Sequence, residues 1–182
     1  DAVPGEKAEV APALDFSFNF LIDNLTAIML VVVTTVSFLV HLYSTGYMVH
    51  HGHHAPRYSR FFAFLGLFSF SMLGLIFTDS VFFLFMFWEL VGLCSYFLIG
   101  FEFERPAAQR ASIKAFITTR IGDCGFFLAL MIIGMVVGKF TFADIFASVK
   151  AGMWPEWLLV TTAILLFIGP IGKSAQFPLH VW

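Results

Sequence analysis

The chain has 182 residues, 59% of them hydrophobic and only 12% charged, with a mean hydropathy of +0.89. A soluble domain carries about 25% charged residues, so this composition excludes a water-soluble fold and points to an integral membrane protein. The net charge of −2 comes without a basic patch, and nothing offers nucleic acid a binding surface.

Residues 1–14 lack the basic start and apolar centre of a signal peptide, and residues 1–19 read as a non-cytoplasmic N-terminal segment. A single transmembrane domain follows over 20–182, with apolar helices expected at about 21–43, 61–77, 81–101, 113–137 and 157–173. These runs approach or exceed the roughly 20 residues needed to cross a bilayer as a helix. None alternates as a barrel strand would. The expected fold is therefore an all-α polytopic membrane protein of about five helices. Only Thr78-Asp79-Ser80 separates the second helix from the third, so these two must be antiparallel neighbours. Residues 139–150, with Phe142, Ile145, Phe146 and Val149, read as a short surface helix. The first residue is Asp1 and the last residues stop just after a charged break, which reads as a piece of a longer chain.

The loops set an orientation. Arg57, Arg60, Arg105, Arg110 and Lys114 fall on one side, whereas Lys7, Lys139 and Lys150 are spread over the other. The positive-inside rule places 46–60 and 102–112 in the cytoplasm or matrix. Lys114 reads as a side chain that snorkels to that surface.

Four ionisable groups lie at membrane depth. Glu89 stands alone among the apolar residues 81–101, at an insertion cost on the order of 2.5–3.5 kcal/mol. Arg120 and Asp123 are three apart, so they share a helix face and are expected to pair. A structural salt bridge explains that pair as well as a role in tuning a proton path does. Lys173 lies among Gly169, Pro170, Gly172 and Pro178, residues that should break the last helix near it. Broken helices at membrane depth often mark ion sites. A lysine there can load or release a proton as a carboxylate approaches or withdraws, and Glu89 is the natural carboxylate partner. Together the four suggest a path for ions or protons.

The remaining candidates point elsewhere. His50-His51-Gly52-His53-His54 suggests a metal tract but reads better as a solvated loop, with no carboxylate or cysteine close by. Cys94 and Cys124 read as small buried hydrophobes. No phosphate loop, CxxC pair or haem motif is present, so no redox cofactor is expected in this chain.

Three motifs in order resemble a known family. They are Trp88-Glu89-Leu90-Val91-Gly92-Leu93-Cys94-Ser95-Tyr96, then Thr119-Arg120-Ile121-Gly122-Asp123, then Gly172-Lys173-Ser174-Ala175-Gln176-Phe177-Pro178-Leu179-His180. Over 20–182 the chain resembles the antiporter-like subunit L, or mitochondrial chain 5, of respiratory complex I. The resemblance implies two inverted repeats, each with a discontinuous helix that carries a lysine, of which this chain supplies most of one. Glu89 matches the family's fifth-helix glutamate, Lys173 its broken-helix lysine, and Arg120 with Asp123 its sixth-helix charged pair. It implies a hetero-oligomer with other membrane-arm subunits in a lipid bilayer. NADH, FMN, iron–sulfur clusters and quinone would belong to partner subunits, and this subunit would translocate protons. Pro170 departs from the small residue expected there. Sodium/proton exchanger subunits and inorganic-carbon uptake systems share the fold and remain alternatives. A bacterial inner membrane is the expected location, with the mitochondrial inner membrane as the alternative.

Overall fold

The computed structural model describes residues 14–50 and 57–182. Six helices follow in order: α1 Asn24–His50, α2 Tyr58–Phe77, α3 Val81–Ile99, α4 Pro106–Val137, α5 Phe142–Lys150 and α6 Glu156–Lys173. Five of them, all but α5, are long and apolar enough to span a membrane, as expected. Among the described residues there are isolated β-bridges but no named strand.

The helix ends depart from the hydropathy boundaries where polar chemistry overrides them. Asp23 caps α1, accepting from the Thr26 N–H at 2.7 Å and the Thr26 hydroxyl at 2.8 Å. Those bonds satisfy donors that the first turn leaves free. At its other end α1 runs through Ser44, Thr45 and Gly46, and the Thr45 hydroxyl returns to the Leu42 carbonyl at 2.7 Å. The first helix thus lies three residues later than expected at its start and reaches His50. Helix α4 starts seven residues early, at Pro106, whose fixed φ suits a first helical turn. It stops at Gly138, in the left-handed region at φ 72°. The expected surface helix is α5, capped by the Thr141 hydroxyl, which accepts from the Asp144 N–H at 3.2 Å.

One end of the bundle is closed by backbone pairing. An extended segment over 14–23 donates from Asp15 to the Gly138 carbonyl and from Leu21 to Phe77, both at 2.9 Å. The α2–α3 turn joins it through Asp79 N–H to Asn19, and Val81 donates to Phe140. Beneath this lattice lies the core, Val81, Phe126, Leu130, Ile133, Phe140 and Trp154. Phe16 stacks on Phe140 with centroids 5.3 Å apart.

Helices α2 and α3 run antiparallel, as the short turn requires, and interleave rings: Phe64 on Phe97 at 4.9 Å, Phe61 on Phe101 at 5.2 Å. Helices α4 and α6 approach more closely because glycines face each other. A Cβ on Gly122 would lie 3.1 Å from the Gly172 Cα, and one on Gly125 would lie 2.9 Å from the Ile168 Cβ. Gly169 meets Phe126 in the same way, at 3.0 Å. Small residues allow such backbone contact, the usual basis of helix association in membranes. Outward faces are apolar and exposed, as on α1 at Ile28, Val31, Phe38 and Leu42.

Candidate functional site

Where α3, α4 and the end of α6 converge, all four expected charges meet. Glu89 comes from α3, Arg120 and Asp123 from α4, and Lys173 is the last residue of α6. The helix does end at Lys173, as the local prolines and glycines predict. Pro170 remains inside α6, and the chain leaves helical geometry through Ser174 and Ala175, the latter at φ 51°. The Trp182 indole N–H donates to the Gly172 carbonyl at 2.9 Å, satisfying an acceptor that the helix end leaves open.

The pairing differs from the expected one. Arg120 forms its ion pair with Glu89 across the α3–α4 seam, not with Asp123 on its own helix. Its second amino group reaches the Glu89 backbone carbonyl at 3.5 Å, and its guanidinium lies 4.5 Å over the Phe116 ring. The reason is reach: a long guanidinium spans the seam, whereas the short Asp123 side chain stays where its backbone puts it. Asp123 is 3% exposed and accepts from the Trp88 indole N–H at 2.6 Å through one oxygen. Its other carboxylate oxygen has no hydrogen-bond partner among the described residues.

Lys173 forms no ion pair with Glu89. Its ammonium donates to the Trp88 backbone carbonyl and lies 4.4 Å from the centroid of the Trp88 ring. Gly92 makes this approach possible. A Cβ there would stand 3.4 Å from Lys173 Nζ and 3.6 Å from Arg120 Nη2. The two cations therefore lie side by side over the bare backbone of α3, one turn beyond Glu89. Beside them opens a cavity of about 370 Å³, bounded by Phe68, Ser95, Tyr96, Thr119, Lys173 and Trp182.

Sequence reasoning passed over Gly92 and Trp88. The signal for Gly92 was its place three residues after Glu89, on the same face. Trp88 acts through its carbonyl as well as its indole, and sequence carries no sign of the former. Lys114 is exposed on α4, as a snorkelling lysine would be. Cys94 is fully buried, but Cys124 is exposed, against expectation, because it points away from the α4–α6 contact that Gly122 and Gly125 make. Of the histidine tract, residues 51–54 lie outside the described residues. Among the described residues no three His, Cys, Asp or Glu side chains form a metal site.

Family models match most of the chain. Residues 78–182 match the transmembrane domain of the NADH:quinone oxidoreductase/Mrp antiporter family. The chain belongs to that family. Residues 10–62 match the N-terminus of NADH-ubiquinone oxidoreductase (complex I) chain 5. NADH-quinone oxidoreductase subunit L of Neisseria meningitidis is 49% identical over 93% of this chain. NAD(P)H-quinone oxidoreductase chain 5 of a Picosynechococcus strain is 46% identical over 96%. A chloroplastic subunit 5 from Draba nemorosa is 48% identical over 92%. The chain spans only 26%, 26% and 22% of these relatives, respectively. Among solved structures, the Mrp complex from a Dietzia species superposes with a TM-score of 0.59 at 28% identity, over 65% of this chain and 13% of that one. This antiporter-like chain is thus an integral membrane member of the family, as its motifs implied.

Proposed function

We propose that this chain is part of a proton-translocating membrane-arm subunit of an NADH–quinone oxidoreductase, with other membrane-arm subunits as partners. The observation that carries the reading is the charge quartet: two carboxylates and two cations at membrane depth, with Lys173 at a helix end beside a cavity. Formally the four charges cancel. A balanced cluster makes burial affordable, and moving one cation redistributes the field for the others.

In this arrangement Arg120 occupies Glu89, and Lys173 rests on a carbonyl and an aromatic face. Arg120 and Asp123 sit about one turn apart on α4, within side-chain reach. If Arg120 turns to Asp123, Glu89 is released and can face Lys173. The Glu89–Lys173 pair is then the second state of a switch in which Arg120 decides the partner. Lys173 holds its proton more firmly when the carboxylate stands beside it and releases it more readily when Arg120 takes the carboxylate back. The cavity supplies room for water to carry that proton. NADH, FMN, iron–sulfur clusters and quinone act in partner subunits under this reading, and a bacterial plasma membrane is the location.

The likeness to the Mrp complex favours a second reading, a subunit of a cation/proton antiporter. The same test separates them. Sealed vesicles with the intact assembly are energised with NADH, and proton uptake is followed beside quinone reduction. Lys173→Ala and Glu89→Gln should each abolish most pumping in complexes that still assemble. Unchanged pumping in both would overturn the proposal. Pumping that needs sodium on the opposite side would favour the antiporter.

A further inference from the structure

The bundle end opposite the N-terminal lattice holds a groove of about 450 Å³, formed by the start of α2, the end of α3 and the start of α4. Its polar rim includes Arg57, Arg60 and Gln109, and its walls include Phe64, Phe97 and Ile113. Arg57 is committed to Glu104 and lies 4.5 Å from the centroid of the Phe103 ring. That ion pair holds Arg57 firmly protonated, above its usual range. Arg60 is exposed and forms no ion pair with any described residue. Over 57–60 and 102–114 there are five cations, Arg57, Arg60, Arg105, Arg110 and Lys114, against Glu102 and Glu104.

Two helix N-termini add to this field. Helices α2 and α4 both begin here, and neither has a side-chain cap. Only α3 ends here. Uncapped N-terminal N–H groups and the positive ends of the helix dipoles favour an anion. Below the groove, Ile113, Ile117 and Ile121 on α4 are 54%, 55% and 57% exposed. Their spacing of four puts them on one outward stripe, leading from the groove into the apolar depth of the membrane.

We infer that this groove binds an anionic phospholipid, its phosphate at Arg60 and Gln109 and an acyl chain along the Ile113–Ile117–Ile121 stripe. A dissolved phosphate ion would use the rim but gain nothing from the stripe. A zwitterionic lipid would carry its own cation into a region already positive. The inference does not depend on the proton-transfer reading.

The test uses the intact complex in lipid nanodiscs, with photoreactive phosphatidylglycerol and photoreactive phosphatidylcholine of the same acyl chains. Cross-links are mapped by mass spectrometry. The glycerol probe should label 109–121 several-fold more than the choline probe. Arg60→Gln should bring its labelling down to the choline level, whereas Arg60→Lys should retain most of it. Inorganic phosphate in solution should leave labelling unchanged. Equal labelling by the two probes, or no loss in Arg60→Gln, would overturn the inference. Competition by inorganic phosphate would also overturn it, showing a site for soluble anions.

Discussion

Arg120 closes on Glu89 across the seam between α3 and α4, leaving Lys173 to rest on the Trp88 carbonyl instead of a carboxylate. Each charge in such a pair offsets the burial of the other, so removing one strands its partner. Glu89→Gln and Arg120→Gln should each lower the melting temperature of the assembled complex. The double substitution should cost less than the sum, with a coupling of about 0.5–3 kcal/mol. Thermal unfolding of the three variants decides it, and strictly additive losses would mean that the pair does not act as a unit.

Gly92 keeps the α3 backbone open to both cations, and a Cβ there would sit 3.4 Å from Lys173 Nζ, in ordinary contact. Gly92→Ala only touches the ammonium and should pump nearly as well as the parent. Gly92→Leu would occupy the place of the two cations, and a displacement of that size can cost about 100-fold in rate. Proton uptake per NADH oxidised, compared across the pair, tests this; equal loss in both would show that helix packing matters here and cation placement does not.

The Trp88 indole supplies the hydrogen bond to Asp123, whose other oxygen is already without one. Trp88→Phe leaves the carboxylate with neither, at a cost of about 1–3 kcal/mol. Adding Asp123→Asn should recover part of the stability without recovering pumping, since the charge that Arg120 turns to would be gone. A double variant that pumps normally would remove Asp123 from the proposed switch.

Gly125 and Gly169 set how deeply α6 sinks against α4. Gly125→Ala drives a methyl group into Ile168, an overpacking that costs about 1–3 kcal/mol. Gly66, which has open space around the position of a Cβ, is the control, and Gly66→Ala should leave the melting temperature nearly unchanged.

Two caps outside the spans respond to acid. Donation by the Thr26 backbone N–H holds the Asp23 carboxyl below its usual 3.8, and the Thr141 hydroxyl does the same for Asp144. A carboxyl lowered by folding stabilises the fold above its unfolded value, and that contribution is lost as the pH falls through the folded value. Protection of the first-turn amides of α1 and α5 against exchange should therefore fall below about pH 4, relative to the intrinsic rate at each pH. In Asp144→Ala the exchange in α5 should be fast already at neutral pH. First turns that stay protected at low pH would show the caps to be dispensable.

Composition and hydropathy alone determined that this chain crosses a membrane five times, because apolar runs of that length have no other stable place. The three residues between α2 and α3 determined that those helices are antiparallel neighbours, since so short a turn permits nothing else. The glycines and prolines near Lys173 announced the end of α6, because they remove helix hydrogen bonds or bend the chain. Which charges exist at depth was equally legible, down to the four residues. Their partners were not. Helical spacing says that Arg120 and Asp123 share a face, but not which helix that face meets or how far an arginine reaches across it. The depth of the α4–α6 contact depends on glycines from two helices meeting, a relation no single segment contains. Across the α3–α4 seam Asp123 is buried against Trp88, and the bare backbone at Gly92 admits Lys173 beside Arg120. Tertiary packing therefore decided the pairing, because the energy of an ion pair depends on distances of a few ångströms that only the assembled helices set.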